Sequence, residues 1–295
     1  MHYISDFFVT MYREMPIFFY VYMTILGLLV GSFLNVVIYR LPIMLEREWK
    51  DEYQDYFHPE KPLPKHPKFN LLVPRSHCPN CNHKITAWEN IPLLSYIFLG
   101  GKCSECKNKI SIRYPLVELF TGLVTLYVTY HFGASIKLVT ILFFVWGLIA
   151  ISGIDFDKQI IPDEIVFPLM WLGIICNTYN GGIFVPTDLA IYGAVFGYFV
   201  PWSIYCIYKL IRGKEGMGHG DFKLYAMIGA WLGVYMLPAL ILLSSLIGAI
   251  FGVIFLFNRK KNIPFAFGPY IAIAGFVMLV FGEKINAWYL TQITH

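Results

Sequence analysis

The sequence predicts an all-α polytopic membrane protein with about eight transmembrane helices and a cytoplasmic zinc-ribbon-like loop domain. Three observations carry this. Of the 295 residues, 57% are hydrophobic and only 14% are charged, whereas a soluble globular domain carries about 25% charged residues. The apolar residues gather in runs that approach or exceed the ~18–20 residues needed to cross a bilayer. The one long polar stretch contains two tight cysteine pairs. A soluble protein with a large core would not need runs of this length.

The elements follow in order. The first run, Pro16 to Tyr39, is too long for a signal-peptide core and no A-x-A-like cleavage site follows it, so it reads as the first membrane span, about 16–39. Further spans are expected at 115–132, 137–154, 164–178, 189–211, 222–236, 238–257 and 264–281. Those at 164–178 and 222–236 are short, as happens where helix ends line a polar cavity. Cys176 and Cys206 stand alone inside apolar runs and read as packing residues. The expected organisation is a first transmembrane helix over 1–40, a cytoplasmic zinc-binding loop domain over 41–113 and a seven-helix membrane core over 114–295. No internal repeat is seen.

Charge fixes the orientation. Of 23 basic residues, 12 lie between Arg40 and Arg113, which places this segment in the cytoplasm. Alternation then makes 155–163, 212–221 and 258–263 cytoplasmic. They carry Lys158, then Arg212 and Lys214, then Arg259, Lys260 and Lys261. The opposite loops, 133–136, 179–188 and the turn near 237, carry no Lys or Arg. Both termini are expected outside the cytoplasm. The net charge of +4 is accounted for by this asymmetry and does not point to nucleic acid.

"HCPNCNHKI" and "GKCSECKNKI" place Cys78, Cys81, Cys103 and Cys106 as C-x2-C, 21 residues, C-x2-C. Two such knuckles offer four thiolates to one tetrahedral Zn2+. A closed four-thiolate shell leaves no position for a reacting water, so the metal is expected to be structural and to supply folding energy to a loop with little core. His77 and His83 flank the first knuckle. Either is able to replace a cysteine, though exposed loop histidines are the simpler reading. The intervening "AWENIPLLSYIFLGG" is apolar enough to rest on the membrane surface or on helix ends.

Ionisable groups at the rim of a membrane bundle are functional candidates. Asp221 closes "GMGHGD" at the cytoplasmic start of the sixth span, after Gly216, Gly218 and Gly220. A second cluster, "IDFDKQIIPDE", brings Asp155, Asp157, Asp163 and Glu164 to the junction of the third and fourth spans. Two carboxylates meeting across a bundle do not both ionise easily. One retains a proton while the other is a base, and the pair is able to activate water for attack on a peptide carbonyl. The glycines, with their freedom in φ, would let the backbone approach a peptide closely. Each residue also has a plainer role. Asp221 is placed to cap a helix, Asp163 to sit in a first helical turn after Pro162, and Asp157 to be a solvated loop charge. Asp155 ends an apolar run and is the deepest of its group. Glu118 lies inside the second span, where an interhelical hydrogen bond is its simplest role.

"GSFLNVVIYRLP", the double C-x2-C, "RYPLVEL", "IDFDKQIIPD" and "GKEGMGHGDFKL" occur in this order, and together the chain resembles the bacterial type IV prepilin peptidases, aspartic proteases of the GxGD type. The resemblance covers about residues 16 to 285. It implies removal of the basic leader of type IV prepilins and type II secretion pseudopilins after a glycine, on the cytoplasmic face of the bacterial inner membrane. It further implies N-methylation of the new terminus with S-adenosylmethionine. It assigns catalysis to Asp155 and Asp221, a supporting loop to Gly218 and Gly220, and metal binding to the four cysteines. Two departures stand out: His219 where tyrosine is common, and "IPFAFGPY" where the family has a shorter "PFGP". No nucleotide-binding motif locates the methyl donor. Rival classes are an ion-coupled transporter using the aspartates and a zinc-bearing membrane scaffold. A carrier would place its carboxylates near mid-membrane, often with inverted repeats.

Overall fold

The computed structural model describes residues 2–64, 66–258 and 266–293. The basic loop residues Arg259, Lys260 and Lys261, and the first two residues of the expected last span, lie outside the described residues. So does Lys65. The chain folds into two compact units, Met1–Leu142 and Phe143–His295.

In the first unit, α1 (His2–Glu14) precedes α2 (Pro16–Phe57). The expected first span ended at Tyr39, but α2 runs on through Pro42 for 42 residues, roughly 63 Å at 1.5 Å per residue. That is about twice a bilayer's ~30 Å core, so the charged C-terminal end, 46–57, is helix and not loop. A short α3 (Leu94–Phe98) and α4 (Arg113–Phe132) follow. α2 and α4 meet through small residues. A β-carbon on Gly27 would lie 2.6 Å from Thr125 Cβ, and one on Gly31 would lie 2.8 Å from Glu118 Cα. Such close approach is how helices associate where apolar burial gives no drive. Glu118 accepts the Leu93 backbone N–H at 2.9 Å and has the Ser32 hydroxyl of α2 beside it. The interhelical role is joined by a loop-anchoring one.

The second unit takes over within α5 (Ile136–Lys158) and contains α6 (Asp163–Thr178), α7 (Thr187–Arg212), α8 (His219–Leu232), α9 (Leu237–Asn258) and α10 (Gly268–Ile293). α8 is its centre. Phe222 and Leu224 to Leu232 are all buried. Gly193 of α7 and Gly229 of α8 touch backbone to backbone: a β-carbon on either would fall within about 2.2 Å of the other's carbonyl oxygen. Trp231 Nε1 donates to the Leu169 carbonyl at 2.8 Å, and the buried Asn177 amide donates to the Ala230 carbonyl at 3.0 Å. Asn177 Oδ1 in turn accepts the Phe184 and Val185 N–H groups, which anchors the turn into α7.

Among the described residues, five helical stretches are long and apolar enough to cross a membrane: Pro16–Phe57, Ile136–Lys158, Thr187–Arg212, Val234–Ile254 and Gly268–Ile285. The other three expected spans fall on α4, α6 and α8. α4 has the length, but Glu118, Thr121, Thr125 and Thr129 make one face polar, and each threonine hydroxyl donates to a carbonyl one turn back. α6 and α8, at 16 and 14 residues, reach only roughly 24 and 21 Å.

Candidate active site

α5 ends at Lys158 because Gln159 enters the left-handed region, φ 55°, and its N–H returns to the Asp155 carbonyl. This leaves Asp155 in the last turn, only 4% exposed. Its Oδ2 accepts the N–H of Gly268, the first residue of α10, at 2.9 Å. A β-carbon at Gly268 would lie 2.7 Å from that same oxygen, so the approach requires glycine. Pro269 then occupies an early helical position, where its missing N–H costs nothing.

Asp221 stands at the third position of α8, 6% exposed. Its Oδ2 reaches back to the Gly218 N–H at 3.1 Å. This is the carboxylate half of a capping box; glycine has no side chain to supply the other half. The capping role is therefore real, and it occupies only one oxygen. The charge of Asp155 acts on Asp221. Ile161 sits between the two arms: β-carbons on Gly220 and Gly268 would lie 2.8 and 3.2 Å from its side chain. Each carboxylate thus has one oxygen fixed by a backbone N–H at a positive helix start. The other oxygen of each has no protein donor among the described residues.

The expected glycine mechanism needs correction. Gly216, Gly218 and Gly220 are not among the positive-φ residues; Gly218 has φ −75° and ψ 147°. What they provide is absence of bulk, not left-handed backbone: beside Tyr208 at Gly216, Asp221 at Gly218 and Ile161 at Gly220. His219 is exposed and packs edge-on against Tyr205 and Phe222 at 5.5 and 5.7 Å, an aromatic contact that tyrosine would also make. Asp163 opens α6, as expected, and also accepts Lys223 Nζ of α8 at 2.7 Å. Asp157 is exposed. Gly268 is the residue that sequence reasoning passed over. Its one signal was a glycine before a proline at the start of an apolar run.

In the first unit the four thiols gather. Cys78 and Cys106 Sγ lie 3.7 Å apart, Cys81 and Cys103 Sγ 3.9 Å, and all four within 4.8 Å of one another. A tetrahedral ion with ~2.3 Å bonds to sulfur has edges of about 3.8 Å, so the cluster fits a metal. The two knuckles repeat one hairpin. Asn82 and Lys107 both adopt positive φ, and their N–H groups return to the carbonyls of Cys78 and Cys103. The isolated bridges His77–Lys84 and Lys102–Lys109 close the two turns. The Asn108 N–H and the Asn80 amide hold the Cys106 thiol down to about 6. The His83 N–H also favours the Cys81 thiolate, but burial and the thiols of Cys106, Cys78 and Cys103 outweigh it and push Cys81 up to about 12. Four thiolates therefore coexist only with a cation among them. His77 bonds the Arg75 carbonyl and His83 bonds Glu89; neither joins the cluster.

Residues 25–132 match the family model of the bacterial peptidase A24 N-terminal domain, and residues 142–253 that of the type IV leader peptidase family. The chain is 53% identical over 277 residues to the prepilin leader peptidase/N-methyltransferase of Pseudomonas aeruginosa, covering 93% of this chain and 94% of that one. The chain belongs to the type IV leader peptidase family. The prepilin leader peptidase/N-methyltransferases of Stutzerimonas stutzeri and Legionella pneumophila are 52% and 43% identical, covering 93% of this chain in each case and 95% and 96% of theirs. No solved structure matches. Both family segments contain the features built above: the thiol cluster lies within the first, and Asp155 and Asp221 within the second. Gly268 lies beyond the second segment, yet it supplies the contact to Asp155.

Proposed function

We propose that this leader peptidase cleaves the basic leader from type IV prepilins and type II secretion pseudopilins after a glycine, with Asp155 and Asp221 as the catalytic pair. Two buried carboxylates, each anchored through one oxygen by a backbone N–H, with the charge of Asp155 acting on Asp221, carry this reading. One is ionised and takes a proton from a water lying between the free oxygens. The resulting hydroxide attacks the scissile carbonyl while the protonated partner donates to its oxygen. Collapse of the tetrahedral intermediate breaks the C–N bond. The proton taken from water passes to the leaving amine, which becomes the new N-terminus. Backbone anchoring of both acids keeps them oriented through the cycle.

The division into a first helix (1–40), a cytoplasmic metal-binding loop domain (41–113) and a membrane peptidase core (114–295) is part of this proposal, as is placement of the active site at the cytoplasmic face of the inner membrane. The ion held by Cys78, Cys81, Cys103 and Cys106 is assigned as structural zinc, on the tetrahedral sulfur spacing and the closed thiolate shell. The relatives' printed names include N-methyltransferase. We extend that activity to this chain, with S-adenosylmethionine as an electrophilic methyl source for the amine that cleavage releases. No nucleic-acid partner is proposed. A transporter or scaffold reading gives no reason for two buried aspartates with matching backbone anchors.

The test uses purified Asp155→Asn and Asp221→Asn proteins incubated with a substrate bearing a basic leader, glycine and phenylalanine. Neither variant should release the leader at a measurable rate. Wild-type cleavage by either one overturns the pair.

A further inference from the structure

We propose that the cleft between the charged C-terminal half of α2 and the 58–70 segment binds S-adenosylmethionine through its amino-acid and sulfonium end. The proposal rests on the methyltransferase reading above and assigns it a place.

The cleft is built, not incidental. Gln54 Nε2 donates to the Pro62 carbonyl at 3.0 Å, and His66 bonds Asp51 at 3.2 Å. Arg40 Nη1 donates to the Asn70 carbonyl at 2.9 Å, and Asn70 Oδ1 accepts the N–H groups of Leu72 and Val73. These bonds hold the returning segment along α2 from Arg40 to Gln54. Two adjoining cavities of about 520 and 640 Å³ result, sharing Arg47, Asp51 and His66 in their walls. Small-molecule sites typically occupy about 300–1,000 Å³.

Its chemistry is mixed in sign. Arg47 lies over the Phe69 ring at 4.5 Å, and its Nη1 is shut off from solvent with no hydrogen-bond partner among the described residues. A buried guanidinium N–H without an acceptor is costly and calls for an anionic ligand group. Around it stand the carboxylates of Glu48, Asp51, Glu52 and Asp55, which call for cations and hydroxyl donors. Few ligands meet both demands. A basic leader peptide would satisfy the carboxylates and leave Arg47 Nη1 orphaned. A free metal cation would do the same and would be repelled by the guanidinium. S-adenosylmethionine carries an α-carboxylate for Arg47, an ammonium and a sulfonium for the carboxylates, and a ribose diol of the kind acidic side chains accept. The purine adds a flat surface suited to the apolar wall made by Leu63, Pro67 and Phe69.

The experiment uses the full chain in detergent, with Arg47→Gln and an Asp51→Asn/Asp55→Asn double variant. Equilibrium dialysis measures binding of labelled S-adenosylmethionine and of S-adenosylhomocysteine, which lacks the sulfonium charge. Prepilin cleavage and bound metal report that each protein is folded. Arg47→Gln should weaken both ligands about tenfold or more, since both present the carboxylate. The double variant should weaken the sulfonium ligand more than the thioether. Cleavage should stay near wild type in both. If both variants bind and transfer as the wild type does, the donor lies elsewhere and this assignment falls while the methyltransferase reading stands. If donor binding is unchanged and only the KM for leader-bearing substrate rises, the cleft holds the leader and the assignment again falls. If the wild type itself neither binds donor nor transfers methyl, the methyltransferase reading falls with it.

Discussion

The thiol cluster and the aspartate pair solve opposite problems. The cluster draws four ligands from 29 consecutive residues, Cys78 to Cys106, through two copies of one hairpin. The pair draws two acids from positions 155 and 221, on separate helices, and aligns each with a backbone N–H. In the first region the proposed ion would organise the chain. In the second the packed chain organises the side chains, around α8, which is buried from Leu224 to Leu232. The expected consequence is a different sensitivity in each region: one to loss of the proposed metal and the other to helix packing.

The largest expected effect tests the first half of that contrast. Structural zinc sites contribute on the order of 10–16 kcal/mol of apparent binding energy, which is folding energy for the peptide that carries them. A Cys78→Ser/Cys103→Ser protein should lose its metal, and limited proteolysis should open the 75–112 segment. Metal analysis of the purified protein gives the direct reading, and undiminished zinc would exclude the four-thiolate site. Second in size are Asp155→Asn and Asp221→Asn. General acid–base catalysis is worth roughly 10²–10⁴-fold per group. Here each loss also removes the only partner, so cleavage should fall at least to the upper end of that range. The helices should keep their thermal stability, because asparagine still accepts the Gly268 or Gly218 N–H.

The two regions were unequally legible in the sequence. The knuckles could be read with no structure at all, because ligand identity and spacing encode the geometry locally. Even the histidine alternative could be posed, and it is settled by His83 turning to Glu89. Asp221 was legible by its glycines, but for an incomplete reason: the torsions at Gly216, Gly218 and Gly220 are ordinary, and what matters is missing bulk. Asp155 could be singled out from Asp157 and Asp163 only by depth along an apolar run. Gly268 was not legible as part of the site. It contributes a backbone N–H, which no residue type announces, across 113 positions of chain. The continuation of α2 past Pro42 was missed for a related reason. Its charged end carries Leu45, Trp49, Tyr53 and Phe57 four residues apart, a helical stripe, but the charges between them and the Pro and Lys further along made the whole segment read as loop.

Gly268→Ala sharpens the comparison at the third level of effect. The added β-carbon would lie 2.7 Å from Asp155 Oδ2 and 3.2 Å from the Ile161 side chain, so the carboxylate or the start of α10 must shift. Displacements of about 1 Å at a reacting group can cost on the order of 100-fold in rate. We expect a fall of that order in kcat for leader cleavage, with little change in KM and no change in bound metal. A variant as active as the wild type would show that Asp155 does not depend on this N–H.

The smallest expected effect separates the aspartates from one another. Asp163 is 45% exposed at its side chain and is paired with Lys223 Nζ. Asp155 and Asp221 are buried and, among the described residues, have only backbone donors. A half-exposed ion pair is screened by water and typically contributes at most ~1 kcal/mol. Asp163→Asn and Lys223→Met should therefore lower the melting temperature by only a few degrees, and the double variant should be little worse than either single one. Cleavage should persist in all three, although Lys223 lies two residues from Asp221. If Asp163→Asn instead abolished cleavage as fully as Asp155→Asn, burial and backbone anchoring would not be what distinguishes the catalytic acids, and the pair would have to be redrawn around the α6–α8 contact.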